Sequence, residues 1–530
     1  MADEKGKHPR KKTNPWLVAV TVSMATFMEV MDTSIANVAL RHIAGSVAAD
    51  QSESTWVLTS YLVSNAIVVP ISGWLSSVIG RKRFYMSCVA LFTISSFFCG
   101  IAPSLGFLLT CRVLQGVGGG GLAPSEQAIL TDTFPAKTRG LAFALYGVAV
   151  VVAPAIGPAL GGWITDQYSW RWIFFINIPV GIASLILTYI LVEDSPSAEK
   201  EHQKATRGGV RVDYAGFALV ALGLGCLQVV LDKGQEDDWF GSTFITIFTV
   251  VSAVSIVCLV VWELWVAKEP IVDLPMFRDK GFLFVNFMMF TTLFILQCTT
   301  QLLPQFVQQL LPYNATKAGL ILMPGGLVLM SLLPMAGFLV RKTQPKYLIF
   351  TGFIVSALAL YSMTNLDTEA SFGAIARYRM FQGVGFAFLF VPIQTLAYSN
   401  VPEGKSNNAS ALINLMRNLG GSVGISMGTT LLARRSQAHQ VRLVAHLTAT
   451  APGLHQRMHH LMQVFSAHGA GAVTSMQRAM ATISQQMAGQ AAMLSYLDVF
   501  QVLIVGCVVA ALVSTMLRRI DIGKAPHGGA

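Results

Sequence analysis

The chain has 530 residues, of which 53% are hydrophobic and 12% charged, with a formal net charge of +10. A soluble domain carries about 25% charged residues. A chain this apolar cannot cover its own surface, which excludes a soluble globular protein and sets most side chains against lipid or other helices. The cations lie in short connections between apolar runs, not among stacking aromatics, which argues against a nucleic-acid surface and for membrane orientation.

A membrane-crossing helix needs about 20 mostly apolar residues, and by that measure the chain reads as about fourteen spans. The basic start, Lys5 to Lys12, runs directly into the first, so that span is expected to stay in place as an anchor and not as a cleaved signal. The expected cores of the first eight are Trp16–Ala36, Trp56–Ser76, Phe84–Pro103, Phe107–Gln127, Leu141–Trp163, Trp172–Val192, Tyr214–Leu231 and Phe244–Val266. The remaining six are Phe282–Leu303, Gly319–Val340, Tyr347–Met363, Phe372–Leu396, Ser410–Leu432 and Leu497–Leu517.

Connections on one side hold Arg81-Lys82-Arg83, Lys137 and Arg139, Lys200 through Arg211, Arg341, Lys342 and Lys346, and Arg518-Arg519. That side is expected to be the cytoplasm, with both termini on it. The acidic loop Asp232–Asp238 falls on the other side, as does the exception, Arg434-Arg435, which opens a long loop. That loop, 433–496, is rich in Ala, Gln, Met and His, and its apolar spacing predicts short amphipathic helices outside the membrane. His455 and His459 stand four apart, but with no cysteine and no acidic partners nearby they read as a solvated helix face, and no metal is expected. The seven cysteines all lie in apolar runs without ligand spacing and read as packing residues.

The sequence repeats itself weakly. Pro70-Ile-Ser-Gly73-Trp-Leu75 returns as Pro334-Met-Ala-Gly337-Phe-Leu339, 264 positions on from Gly73 to Gly337. Arg112-Val-Leu-Gln115-Gly116-Val-Gly118 returns as Arg379-Met-Phe-Gln382-Gly383-Val-Gly385, 267 positions on from Gln115 to Gln382. Two matches at nearly one offset imply two six-helix halves related by duplication, a plan common among transporters. The expected organisation is a tail (1–15), a first half (16–192), a linker (193–213), two inserted helices (214–266) and five helices of a second half (281–432). The loop 433–496, a last span (497–517) and a tail (518–530) follow.

Four stretches, in order, resemble the major facilitator superfamily and, within it, the fourteen-helix drug:proton antiporters of the EmrB/QacA type. They are Thr26-Phe-Met-Glu29-Val-Met-Asp32-Thr-Ser-Ile-Ala-Asn37, then Arg112-Val-Leu-Gln115-Gly116, then Ala153-Pro154-Ala-Ile-Gly157-Pro158-Ala-Leu-Gly161-Gly162-Trp163, and Trp170-Arg-Trp-Ile-Phe-Phe-Ile-Asn177-Ile-Pro179. The resemblance implies an all-α major facilitator fold and proton-driven export of amphipathic or hydrophobic drugs across the bacterial inner membrane. Its long penultimate loop resembles that of the EmrB branch, which implies a periplasmic membrane-fusion adaptor and, through it, an outer-membrane channel. One departure is Ser77 in the turn between Gly73 and Arg81, where the family usually has an aspartate. The alternatives are a dedicated exporter of one metabolite or organic acid, and a membrane receptor or enzyme. The chain has no Walker A, His-Glu-x-x-His or nucleophile-elbow motif, and its tails are too short for a signalling domain, so no enzyme activity and no cofactor beyond a proton gradient is expected.

The candidate proton site is Asp32, an acid inside a span. Glu29, three residues earlier, shares its helical region. Arg112 is the expected partner, since the first span ends shortly after Asp32 and the fourth begins shortly before Arg112, which sets each about 9 Å from the outer end of its span at a rise of about 1.5 Å per residue; Gln115 is one turn on. Gly157, Pro158, Gly161 and Gly162 are expected to allow close packing and bending of the fifth span, with Gly73 and Arg81 at the cytoplasmic turn. Arg379 and Gln382 are the second-half counterparts, but where Asp32 would align the second half offers only Gln297. Glu126 reads equally as a gate, structural or coupling acid. Candidates for the substrate cavity are Phe27, Asn37, Phe287, Met288, Gln297, Gln301, Gln394 and Asn414.

Overall fold

Every regular element among the described residues is helical. The structure, a computed structural model, describes residues 14–206, 213–267, 271–311, 313, 315–399, 401, 405–446, 452–469 and 471–517. The basic stretches Lys5 to Lys12 and Arg518-Arg519, with Arg207 and Arg211, lie outside the described residues.

The first half runs α1 (Pro15–Ser46), α2 (Gln51–Ile79), α3 (Arg81–Gly100), α4 (Leu105–Gly120), α5 (Leu122–Thr133), α6 (Ala136–Gln167), α7 (Trp172–Phe175) and α8 (Asn177–Leu191). A linker helix α9 (Pro196–Thr206) leads to α10 (Tyr214–Lys233) and α11 (Thr243–Val261). The second half comprises α12 (Lys280–Gln309), α13 (Ala315–Lys342), α14 (Pro345–Met363), α15 (Phe372–Ala397), α16 (Ser406–His446), α17 (Pro452–Ala467) and α18 (Ala472–Ser514). Thirteen segments of the described chain are helices long and apolar enough to cross a membrane, with α4 and α5 joined as one, and α7 and α8 as another. The more polar α16 packs among them against α12, α18 and α2.

Local sequence sets the ends of these helices. Asp50 and Glu53 cap α2 reciprocally, each side chain accepting from the other's backbone N–H. Gly80, at φ +93°, turns the chain from α2 into α3 in a conformation that a side chain would strain. Helix association relies on close backbone approach. A Cβ on Gly116 of α4 would fall 2.4 Å from the Tyr61 carbonyl of α2, and one on Gly383 of α15 would fall 2.4 Å from the Gly325 carbonyl of α13. Gly116 and Gly383, like Tyr61 and Gly325, stand at the repeat offsets, so the two halves use the same contact twice.

The halves meet along two seams, α6 against α13 and α2 against α16. Both are tight at the end where α3, α5, α9 and α16 bring Arg81, Asp132, Glu201 and Ser406 together, here termed the basic end. There a Cβ on Gly337 would lie 3.0 Å from the Gly140 carbonyl, and one on Gly73 would lie 2.7 Å from Asn408 Oδ1. Gln127 accepts from Asn414 at 2.8 Å and from the Tyr398 hydroxyl at 3.0 Å. At the far end, α16 and α18 run beyond the bundle as single helices, with α17 packed on α18, so the segment read as a loop is largely an outgrowth of two spanning helices. The inserted α10 lies against α2 and α16, while α11 turns Ile247, Val250, Val254 and Val257 outward.

Candidate functional site

Asp32 and Arg112 meet inside the first half. Arg112 Nη1 donates to Asp32 Oδ2 at 2.6 Å, and the residues are 2% and 0% exposed, so neither charge reaches water. Gln115 Nε2 and Asn177 Nδ2 donate to Asp32 Oδ1 at 3.0 and 2.8 Å. Arg112 also donates to the Val57 carbonyl at 3.0 Å and to Gln115 Oε1 at 2.7 Å, and its guanidinium lies over the Tyr61 ring, 4.5 Å from the centroid. A buried ion pair persists only when its remaining donors and acceptors are met. Three donors on one carboxylate do this for Asp32.

Glu29 sits apart from that cluster, on the wall of a cavity of about 260 Å³ between the halves. Its Oε1 accepts from Asn65 Nδ2 at 3.2 Å and from the Tyr61 hydroxyl at 3.4 Å, while Oε2 has no hydrogen-bond partner among the described residues. Tyr61 therefore touches both acids' surroundings, stacking under Arg112 and bonding Glu29. Across the seam, Arg417 of α16 lines the same cavity. It also bonds the Tyr146 hydroxyl of α6. Glu126 is fully buried nearer the basic end, where Ser23 donates to its Oε1 at 2.5 Å.

The second-half counterpart is open to the cavity. Arg379 lines it and donates to Thr299 Oγ1 at 3.0 Å, Thr300 Oγ1 at 2.7 Å and Gln382 Oε1. Of the cavity candidates, Gln297 lines this space. The others do not. Asn37 and Phe287 face outward, Phe27 packs in the first-half core, and Met288 and Gln394 are fully buried between helices. Asn414 is spent on the basic-end seam, and Gln301 lies one turn beyond the cavity wall.

The glycines of the fifth span serve the acid-bearing helix. A Cβ on Gly157 would fall 2.7 Å from Ser34 Cβ, and one on Gly161 would fall 2.8 Å from Ile35 Cγ2, so α6 lies flush on α1 just beyond Asp32. Gly162 is looser, with Val38 at 3.9 Å, and Pro158 faces Gly319 of the second half. Arg81, 3% exposed, donates to Asp132 Oδ2 at 2.5 Å, Ser406 Oγ at 3.1 Å and Glu201 Oε2 at 3.5 Å. Glu201 Oε2 also accepts from Asn407 Nδ2 at 3.0 Å. An acid from the linker helix thus stands at this turn, while Ser77 bonds back to the Trp74 carbonyl.

Sequence reasoning passes over Arg417, Asn65, Tyr61 and Gln228 of the inserted α10, which lines the cavity and accepts from Ser422 at 3.0 Å. Arg417 carries a usable signal, since an arginine in mid-span points to function by default. It has no repeat partner, and a search for matched pairs misses it.

The comparisons with known proteins agree with this architecture. The family model described as the Major Facilitator Superfamily matches residues 22–425. The chain is 38% identical over 450 residues to the multidrug export protein EmrB of Haemophilus influenzae, covering 85% of this chain and 86% of that one. It is 38% identical over 446 residues to the fatty acid resistance protein FarB of Neisseria gonorrhoeae, covering 84% and 86%. Among solved structures it is similar to the proton:xylose symporter XylE, with a TM-score of 0.58 at 15% identity, covering 95% of this chain and 96% of that one. Two duplicated helical halves around a shared cavity, a family match over most of the chain and export-protein relatives at this identity place the chain in the Major Facilitator Superfamily, as a transporter of the EmrB type.

Proposed function

We propose that the protein is a proton-coupled antiporter that exports amphipathic or hydrophobic compounds. The observation that carries this reading is the buried Asp32–Arg112 pair, set one turn from Glu29 on the cavity wall. Arg112, Gln115 and Asn177 all donate to Asp32. A proton on Asp32 removes the charge that holds Arg112 and loosens α4 from α1. Glu29 on the cavity wall and the buried Glu126 belong to the first half and Arg417 to the second, so parting the basic-end seams moves that cation relative to both acids. Rocking one half on the other then exchanges protons for substrate at a mid-depth site.

In this reading the basic end is the cytoplasmic face of a bacterial inner membrane with both termini on it, which the distribution of Lys and Arg supports. Residues 16–192 and 281–432 with 497–517 are the rocking halves, and 214–266 packs beside them. The outgrowth over 433–496 docks a periplasmic membrane-fusion adaptor that continues to an outer-membrane channel. Names of relatives support the export direction: EmrB as a multidrug export protein, FarB as a fatty acid resistance protein.

The test compares Asp32→Asn with the native protein in proteoliposomes. The variant should keep gradient-independent substrate exchange, which reports an intact fold, and lose accumulation driven by a pH gradient. Full gradient-driven accumulation by the variant overturns the assignment.

A further inference from the structure

Four glutamines of α12 stand four residues apart, at 297, 301, 305 and 309. Side chains at that spacing are neighbours along one side of a helix. Gln297 lines the cavity between the halves. Gln305 and Gln309 line a second cavity, of about 350 Å³, at the far end between α12, α16 and α18. Gln301 stands between the two. The facing helix α16 serves both spaces in the same order, with Ser422 and Ile425 on the first and Thr429 and Ser436 on the second. Ile425 and Thr429 are one turn apart, about 6 Å.

The row is polar but unpaired. Among the described residues the side-chain amides of Gln297, Gln301 and Gln305 make no hydrogen bond, and neither does the Ser436 hydroxyl. Gln309 is engaged, accepting from the Tyr496 hydroxyl of α18 at 3.2 Å. Unpaired amides are costly in a membrane span, so three in one row line a space that polar groups enter. No charged side chain lines the far-end cavity. Arg435 and His439, which flank it, both lie against Asp498, at 3.6 and 2.9 Å. An ion in the cavity would meet no counter-charge in its wall, whereas an uncharged polar group meets amides and hydroxyls that donate and accept.

We propose that the far-end cavity is an outer site for the exported compound, and that it takes an uncharged part rich in hydrogen-bonding groups, such as hydroxyls. The glutamine row leads there from the central cavity. Gln305, Gln309 and Ser436 hold the polar part, and Leu432 meets the apolar part. All three helices belong to the second half, so rocking of the halves does not divide this site as it divides the central one. The assignment rests on the transport reading above and adds a second site to it, at the root of the outgrowth.

The experiment places a thiol on the cavity wall by Ala433→Cys, with the seven native cysteines replaced, and follows its labelling by a maleimide in lipid nanodiscs without a gradient. Octyl glucoside, kept below its micelle concentration, should protect the thiol. Octanoate and octylammonium, with chains of the same length, should need several-fold higher concentrations. Gln305→Leu and Ser436→Ala should each raise the half-protecting concentration of octyl glucoside about fivefold, the scale of one neutral hydrogen bond. Ser436→Ala removes a single oxygen and decides the matter if Gln305→Leu does not fold. Absence of protection, equal protection by the charged chains, or an unmoved half-protecting concentration in Ser436→Ala overturns the proposal. If the thiol is protected as expected but no pH gradient drives transport in proteoliposomes, the proton-coupled reading fails and the outer site stands.

Discussion

Removing either partner of the Asp32–Arg112 pair leaves a buried charge, but the two losses are unequal. Asp32→Asn strands a guanidinium that cannot neutralise itself, whereas Arg112→Met strands a carboxylate that can take up a proton. Thermal unfolding in detergent should therefore show the larger loss for Asp32→Asn, toward the upper part of the ~3–5 kcal/mol typical of a broken buried pair. Glu126→Gln should behave in the opposite way. The isostere keeps the contact with Ser23 and relieves the burial of an ionisable group that makes no ion pair among the described residues, so its midpoint should equal or exceed that of the native protein. At this scale the sequence is informative where residues come in pairs. Asp32, Arg112 and Gln115 are legible from depth and repeat, and they meet within 3.0 Å. Asn177, which completes the cluster from α8, is not, because contact between distant helices leaves no periodicity in the chain. The cavity lining shows the same limit. Helical phase was not fixed for α12, so Phe287 faces outward while Gln297, on the same helix, faces in.

Among the elements, the seam between α6 and α13 offers the clearest handle. Gly140 and Gly337 present backbone to backbone there, and neither carbonyl can move aside for a side chain. Gly337→Leu should pry the basic end open. In a cysteine-free background, a thiol placed at the fully buried Ser410 should then label several-fold faster than with Gly337 intact. The linker helix adds a pH dependence at the same end. Burial raises the Glu201 carboxyl to about 7, against the pull of Arg81 and Asn407 and with the push of Asp132. Opening the seam returns that carboxyl to water and its ordinary value, so the closed arrangement binds the extra proton. Closure should strengthen as pH on that side falls from about 8 through 7 toward 5, and weaken as pH rises through 7. Accessibility of the same thiol across that range reads the effect, and Glu201→Gln should flatten it. Hydropathy reveals the spans themselves well, because each is a run of about 20 apolar residues. It cannot show that α9, a polar helix outside those runs, supplies the acid that Ser77 lacks.

For the whole molecule, the repeat in sequence is a repeat in space. Gly116 on Tyr61 and Gly383 on Gly325 are one contact made twice, and the offset that reveals them in the chain places them in matching positions. The inserted pair breaks the symmetry. Through Gln228 it reaches the cavity beside Ser422, so the insertion shares in the site. Deleting His439–Met487 should leave gradient-driven transport in proteoliposomes intact, while extrusion across the whole cell envelope is lost. Survival of envelope-wide extrusion in that deletion removes the adaptor role from the outgrowth.

The continuity of α16 has a mechanical consequence. The helix starts at Ser406, in the basic-end seam with Arg81, passes Arg417 on the cavity wall and ends at His446, a length of 41 residues. At a rise of about 1.5 Å per residue it is a shaft about 60 Å long, twice the thickness of a bilayer core. Its neighbour α18 is braced to it where His439 meets Asp498 at 2.9 Å. A tilt of about 10° about its middle swings the tip by about 5 Å. Whatever grips that tip receives the opening and closing of the distant seam as a stroke, with no signal passed from residue to residue between them.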